Sequence, residues 1–138
     1  MTLKLFLAIV PLVFVINGCA SGGGTIPEGA APLSTEEIAE TFSGVQESYR
    51  GRDNPAVSAK GTFREGGEFE GTWRAGSQSG QVVGEWYAEE GKRCLSTTAP
   101  GGGNADLECH RFYRTGDVLT SVNDDGSVHG IHSLAPLE

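Results

Sequence analysis

The chain of 138 residues has no surplus of positive charge, no apolar run long enough to cross a bilayer, one methionine and three cysteines. Each shortage removes a class of protein. With 10 Lys and Arg against 18 Asp and Glu the formal charge is −8, so the basic footprint that neutralises phosphates in nucleic-acid binders is missing. The longest apolar run, Leu5 to Ile16, spans 12 residues, short of the roughly 20 that a mature spanning helix requires. Without a Cys-x-x-Cys pair there is neither a redox motif nor a zinc cluster of the usual spacing. Leucine is sparse outside the first 16 residues, whereas 21 glycines accompany many Ser, Thr and aromatic residues. That composition favours short strands and turns over long helices, in a chain long enough for one small domain.

The first 18 residues read as an export signal in three parts. Met1 to Lys4 is short and positive, Leu5 to Ile16 is apolar and interrupted only by Pro11, and Ile16-Asn17-Gly18-Cys19 closes the segment. An apolar stretch of this length suits a signal peptide. Ile16, Gly18 and Cys19 resemble the bacterial lipobox, with a branched aliphatic at −3, a small residue at −1 and cysteine at +1; Asn17 at −2 departs from it. The resemblance implies that the Cys19 thiol takes a diacylglyceryl thioether and that cleavage follows Gly18. Two or three acyl chains make anchoring stable, each buried methylene contributing about 0.8 kcal/mol. Removal of residues 1–18 takes away Lys4, the only charged side chain there, and leaves the mature side chains one unit more negative. Ala20 and Ser21, with no Asp at +2, resemble the signal for transfer to the outer membrane, which implies a periplasmic location on that membrane.

Residues 19–32 then form a lipidated flexible tether, rich in Gly, Ala and Pro and too poor in apolar area to offset chain entropy. Gly22-Gly23-Gly24 is not a phosphate-binding loop, because no strand precedes it and no Gly-Lys-Ser/Thr follows.

Residues 33–138 form the folded domain. Ser34 with Glu37 three residues on is a capping box, Leu33 and Ile38 have the spacing of a hydrophobic staple, and Ile38, Thr41, Phe42 and Val45 continue at helical spacing with Gly44 as a stop. Beyond it the hydrophobic period becomes two. Strands are expected at Val57–Arg64, Glu68–Arg74, Gln81–Tyr87, Arg93–Thr98, Leu107–Arg114, Val118–Val122 and Ser127–Leu134, separated by glycine-rich turns. The fold expected is mainly β with one N-terminal helix: an antiparallel meander of six or seven short strands, either a curled sheet or an open barrel.

With Cys19 assigned to lipid, Cys94 and Cys109 remain as an even pair in an exported domain. If they face one another across a hairpin, the connecting loop is Ala99-Pro100-Gly101-Gly102-Gly103-Asn104, suitable turn chemistry, and a disulfide is expected. Gly84-Glu85-Trp86, Cys94-Leu95, Cys109 and Asp125-Gly126, following a short helix, resemble uncharacterised exported domains of proteobacteria. That resemblance implies a fold and brings no catalytic residue with it. Gly61-Thr62-Phe63, Gly71-Thr72-Trp73 and Gly84-Glu85-Trp86 also recur, but at unequal spacing, which points to shared turn and core chemistry.

Catalytic patterns are not found. Gly76-Ser77-Gln78-Ser79-Gly80 has Gln where a nucleophile elbow needs Ser. His129 and His132, three apart, would project to opposite faces of a strand, so with His110 they read as surface histidines and no metal site is expected. Asn123-Asp124-Asp125-Gly126, aligned on its glycine, lacks the first and last ligands of a calcium loop and reads as a hairpin turn. Glu68, Glu70, Glu85, Glu89 and Glu90 read as a solvated face rather than glycosidase carboxylates. The expectation is a non-catalytic lipoprotein without cofactor, held to the membrane by its lipid and interacting with an envelope protein or cell-wall polymer. The second reading is a lipocalin-like carrier enclosing a small apolar ligand between Phe63, Phe69, Trp73 and Trp86.

Overall fold

The computed structural model describes residues 25–138. Gly18 and Cys19, which carry the lipobox resemblance, lie outside the described residues, as does Gly22-Gly23-Gly24. Among the described residues no helix is long and apolar enough to cross a membrane.

The domain begins as the capping chemistry dictates. Helix α1 (Thr35–Phe42) starts at Ser34, whose hydroxyl accepts from the Glu37 backbone N–H while the Glu37 carboxylate accepts from the Ser34 N–H. Leu33 and Ile38 are both buried. The helix stops at the expected glycine: Gly44 follows the Ser43 C-cap with a φ of +70°, and Val45 opens a strand instead of continuing the helical face.

Nine strands follow the chain: β1 (Ala31–Pro32), β2 (Val45–Gly51), β3 (Val57–Phe63), β4 (Glu68–Ala75), β5 (Gln78–Glu89), β6 (Lys92–Thr98), β7 (Asp106–Thr115), β8 (Val118–Val122) and β9 (Val128–Pro136). From β2 to β9 each strand pairs antiparallel with the next, and β9 returns to pair with β2. The sheet is thus mainly an up-and-down meander, as the turns imply, but closed into a barrel of eight strands and not open. The difference lies in β2. Its Gln46-Glu47-Ser48-Tyr49-Arg50 stretch has no apolar alternation, because the side chain it turns inward at its centre is Glu47, yet it pairs with both β3 and β9 and closes the ring. β1, from the last two residues of the segment read as tether, covers the edge of β7 beyond the point where β6 stops pairing.

Inward aromatic rings lie over glycines on the same or neighbouring strands. A Cβ on Gly61 or Gly71 would strike the Phe69 ring, and one on Gly80 would meet the Trp73 indole at 2.7 Å. The recurrent glycine-aromatic triplets therefore belong to core packing, the glycine leaving room for a ring. One end of the barrel is filled: Ile38 and Phe42 of α1 pack with Leu33, Phe63, Phe69, Trp86, Phe112 and Leu119. The Trp86 indole N–H donates to the Arg64 carbonyl at 2.8 Å, and the Gly91 N–H donates to the Thr35 hydroxyl, tying the helix to the β5–β6 turn. Burying a large apolar side chain contributes about 1.5–3 kcal/mol, so this cluster and not helix propensity holds α1 in place. Cys94 and Cys109 face one another across β6 and β7 and form the expected disulfide.

Candidate functional site

Strand alternation turns Glu47 and Tyr49 of β2, Arg93 of β6, His110 and Phe112 of β7, Ser121 of β8 and His132 of β9 to the inside of the barrel. Four of these form a continuous polar chain. A single Glu47 carboxylate oxygen accepts from Arg93 Nη1 and from His132 Nδ1, both at 2.6 Å, and His132 Nε2 lies 2.7 Å from Ser121 Oγ. The Arg93 guanidinium sits among the Phe42, Phe63 and Phe112 rings, 4.5, 4.9 and 4.7 Å from their centroids. Its Nε alone among the described buried side-chain polar atoms has no partner. Three ring faces directed at one cation offset part of the cost of its desolvation.

Burial pushes the Glu47 carboxyl up, but Arg93 and then His132 outweigh it and hold the group at about 2. Burial lowers the His132 pKa, against the pull of Glu47, so the ring is neutral at pH 7. The neutral ring then donates from Nδ1 to Glu47 and accepts the Ser121 hydroxyl proton at Nε2. Serine, histidine and glutamate are thus connected as in a hydrolase triad. The chemistry does not follow, because Ser121 is 0% exposed and His132 2%, so no substrate carbonyl reaches the hydroxyl. Arg93 moreover occupies the carboxylate from the other side. The chain is a buried bracing network that links β2, β6, β8 and β9.

The opposite mouth of the barrel holds a second polar cluster. Glu108 and His110, two apart on β7, share the inner face. His129 reaches the same place through a bulge: Ser121 pairs with Gly130 but Val122 pairs with Val128, leaving His129 as the extra residue. The expected alternation of His129 and His132 fails for this reason, since one inserted residue resets the parity of the strand. Both rings meet Tyr49, His129 stacked at 5.3 Å and His132 tilted at 5.0 Å. His110 stacks on His129 at 4.1 Å. The ligating atoms of Glu108, His110 and His129 all lie within 4.8 Å of one another. Burial, the neighbouring His129 and Arg93 push His110 down to about 4, and burial lowers His129 as well, despite Glu108. The reading of all three histidines as surface residues is corrected: His132 is in the core, His110 is buried and His129 half-buried.

The four aromatics singled out from sequence separate into two environments. Phe63, Phe69 and Trp86 pack on one another, with ring centroids 4.7 and 5.7 Å apart, whereas Trp73 lies near the rim and is 38% exposed. Glu68, Glu70, Glu85, Glu89 and Glu90 are all exposed. Asn123 to Ser127 forms the β8–β9 hairpin turn, closed by hydrogen bonds between Asn123 and Ser127 and by Asp125 accepting from Ser127.

A groove crosses the outside of the sheet. A depression of about 990 Å³ is lined mostly by the outward side chains of β2 to β5 and β9, among them Arg50, Ser58, Lys60, Thr72, Arg74 and Gln81, with Trp73 at its side. A second, of about 330 Å³, adjoins it through Lys60, Thr72 and Gln81 and ends beneath Pro100. The larger one contains three cations and no carboxylate on a strongly acidic protein. Arg50, Lys60 and Arg74 make no ion pair with a described residue. Neither the groove nor the polar network is announced by a motif; the isolated basic residues on alternate positions of β2, β3 and β4 are the available signal for the groove. The chain matches no protein-family model, and no curated protein or solved structure is significantly similar to it.

Proposed function

We propose that the domain is a non-catalytic binding module of the cell envelope, lipid-anchored through Cys19, whose outer groove holds an extended anionic polymer of the cell wall. The observation that carries this reading is the larger depression of the groove: Arg50, Lys60 and Arg74 line it without a carboxylate, and Glu70, which lines the smaller one, is paired with Arg64, while the chain as a whole has a charge of −8. A local cationic strip on an acidic protein attracts an acidic chain at one place and repels it elsewhere, which confers orientation. Arginine forks suit carboxylate or phosphate groups. Ser58, Thr72 and Gln81 add hydroxyl and amide partners for sugar hydroxyls. The two adjoining depressions make a track, which suits a polymer better than a small solute. The packed rings of Phe63, Phe69 and Trp86 favour this reading over a lipocalin-like carrier, which needs an internal chamber.

Co-sedimentation of the purified full chain with isolated cell-wall sacculi tests the groove. Binding is expected to weaken with added salt and to fall at least about tenfold when Arg50, Lys60 and Arg74 are all replaced by Gln. Undiminished binding by that variant, or capture of an envelope protein with no affinity for the polymer, overturns the reading. The anchor is tested separately by fractionating cells that express Cys19→Ala, which should move to the soluble fraction; retention in the membrane overturns lipid anchoring.

A further inference from the structure

We infer that Glu108, His110 and His129 form a site for a borderline divalent metal ion, of the Zn²⁺ or Cu²⁺ class, at the open mouth of the barrel. Two imidazoles and one carboxylate are the donor set such ions take, and hard oxygen-seeking ions such as Ca²⁺ or Mg²⁺ would be poorly served by it. The three ligating atoms lie within 4.8 Å of one another. A tetrahedral ion about 2.0–2.1 Å from each ligand spaces its ligands roughly 3.4 Å apart. The His110 and His129 rings lie stacked, 4.1 Å apart and 17° from parallel, so one of them turns about its side-chain bonds out of the stack to aim its nitrogen at a shared ion.

The architecture brings these groups together at some cost, and apart from a contact of His110 with Asn123 does not otherwise employ them. Glu108 and His110 are neighbours by strand period, but His129 arrives only because β9 carries an extra residue opposite Ser121 and Val122. Among the described residues, neither Glu108 nor His129 has a side-chain hydrogen bond or ion pair, in contrast to Glu47 and His132 deeper in the barrel. The surroundings position the ligands. Tyr49 stacks on the His129 ring, and its hydroxyl donates to the His129 carbonyl at 3.3 Å. Gly130 has no side chain because the Tyr49 ring fills the space a Cβ would need. Arg93 stands opposite His110 in the β6–β7 ladder, but its charge is already matched by Glu47, leaving the Glu108 carboxylate to face the ion. Glu108 is exposed, so the solvent side leaves a coordination position open for water or for an anionic group of a bound molecule.

The test uses the full chain carrying Cys19→Ala, which removes a thiol that itself binds soft ions, after treatment with a chelator. Titration with Co²⁺ is expected to give one equivalent of visible d–d absorption that Zn²⁺ displaces. Glu108→Gln and His129→Gln should each weaken the affinity at least about tenfold while leaving the circular dichroism of the metal-free protein unchanged. His110 is buried and its replacement can disturb folding, so the two more accessible ligands are the ones replaced. A folded protein that takes up no ion, or one that takes it up equally well in both variants, overturns the site. The groove variants of Arg50, Lys60 and Arg74 are expected to bind the ion normally, which separates this test from that of the polymer groove.

Discussion

The two ends of the barrel use the same side-chain types in opposite ways. At the plugged end Glu47 and His132 are inside the core, each bonded to a fixed partner, with Arg93 enclosed by three phenylalanines. At the open end Glu108, His110 and His129 converge with no ion pair among them and with solvent on one side. Glutamate and histidine together therefore do not denote a site. Where their valences are spent on one another in a dry interior they brace strands; where they point at common space and are not paired with one another, they are available to a ligand.

The sharpest way to break the comparison is at the buried pair. Glu47→Gln keeps the shape but leaves the Arg93 guanidinium without a counter-charge in the core, and is expected to cost about 3–5 kcal/mol. Urea denaturation measures this, and the double variant with Arg93→Met should recover part of the loss because no orphan charge remains. If Glu47→Gln proves as stable as the parent, the network is not bracing.

Next in size is the disulfide. Cys94 and Cys109 close a loop with a sequence separation of 15 residues, for which chain entropy gives about 3 kcal/mol. Replacing both cysteines by serine should lower the melting temperature markedly, without changing metal uptake at the mouth.

The smallest effect is titration, and it distinguishes the histidines from Glu47 by pH. Burial lowers His110 from 6.5 to about 4 and lowers His129 and His132 in the same direction. Between those values the unfolded chain holds more protons than the folded one, so the stability His110 contributes is complete above about pH 6.5 and is lost as pH falls towards 4, with His129 and His132 acting in the same direction. For His110 the loss should be on the order of 1–2 kcal/mol, less than the full shift because its ring is partly in reach of solvent. Glu47, depressed from 4.5 to about 2, contributes above pH 4.5 and is lost only as pH falls through 2. Melting temperatures measured from pH 8 to 3 should fall in two stages, and His110→Gln should flatten the upper one. A curve level between pH 7 and 5 would show that the rings are not held neutral by burial.

Much of the frame was legible because it is local. The Ser34–Glu37 capping box, the β8–β9 turn at Asn123-Asp124-Asp125-Gly126, the strand Val118–Val122 and the pairing of Cys94 with Cys109 follow from groups a few residues apart or from a hairpin register. β2 was not legible. Its inward positions carry Glu47 and Tyr49, and a polar residue facing a core reads as loop until its partners, Arg93 on β6 and His132 on the adjoining β9, are known. The bulge at His129 was hidden for a related reason: nothing in Val128-His129-Gly130 announces an extra residue until the strand is laid against β8.

By itself the sequence determined a small, acidic, mainly antiparallel β domain with one capped helix and a cross-strand disulfide, because period, caps and turns act over a few residues. Only the tertiary structure decided that the meander closes, that one Glu–His pair is bracing and another is free, and that three scattered cations line one groove. Those outcomes depend on registers between strands far apart in the chain, where a shift of a single residue exchanges inside for outside.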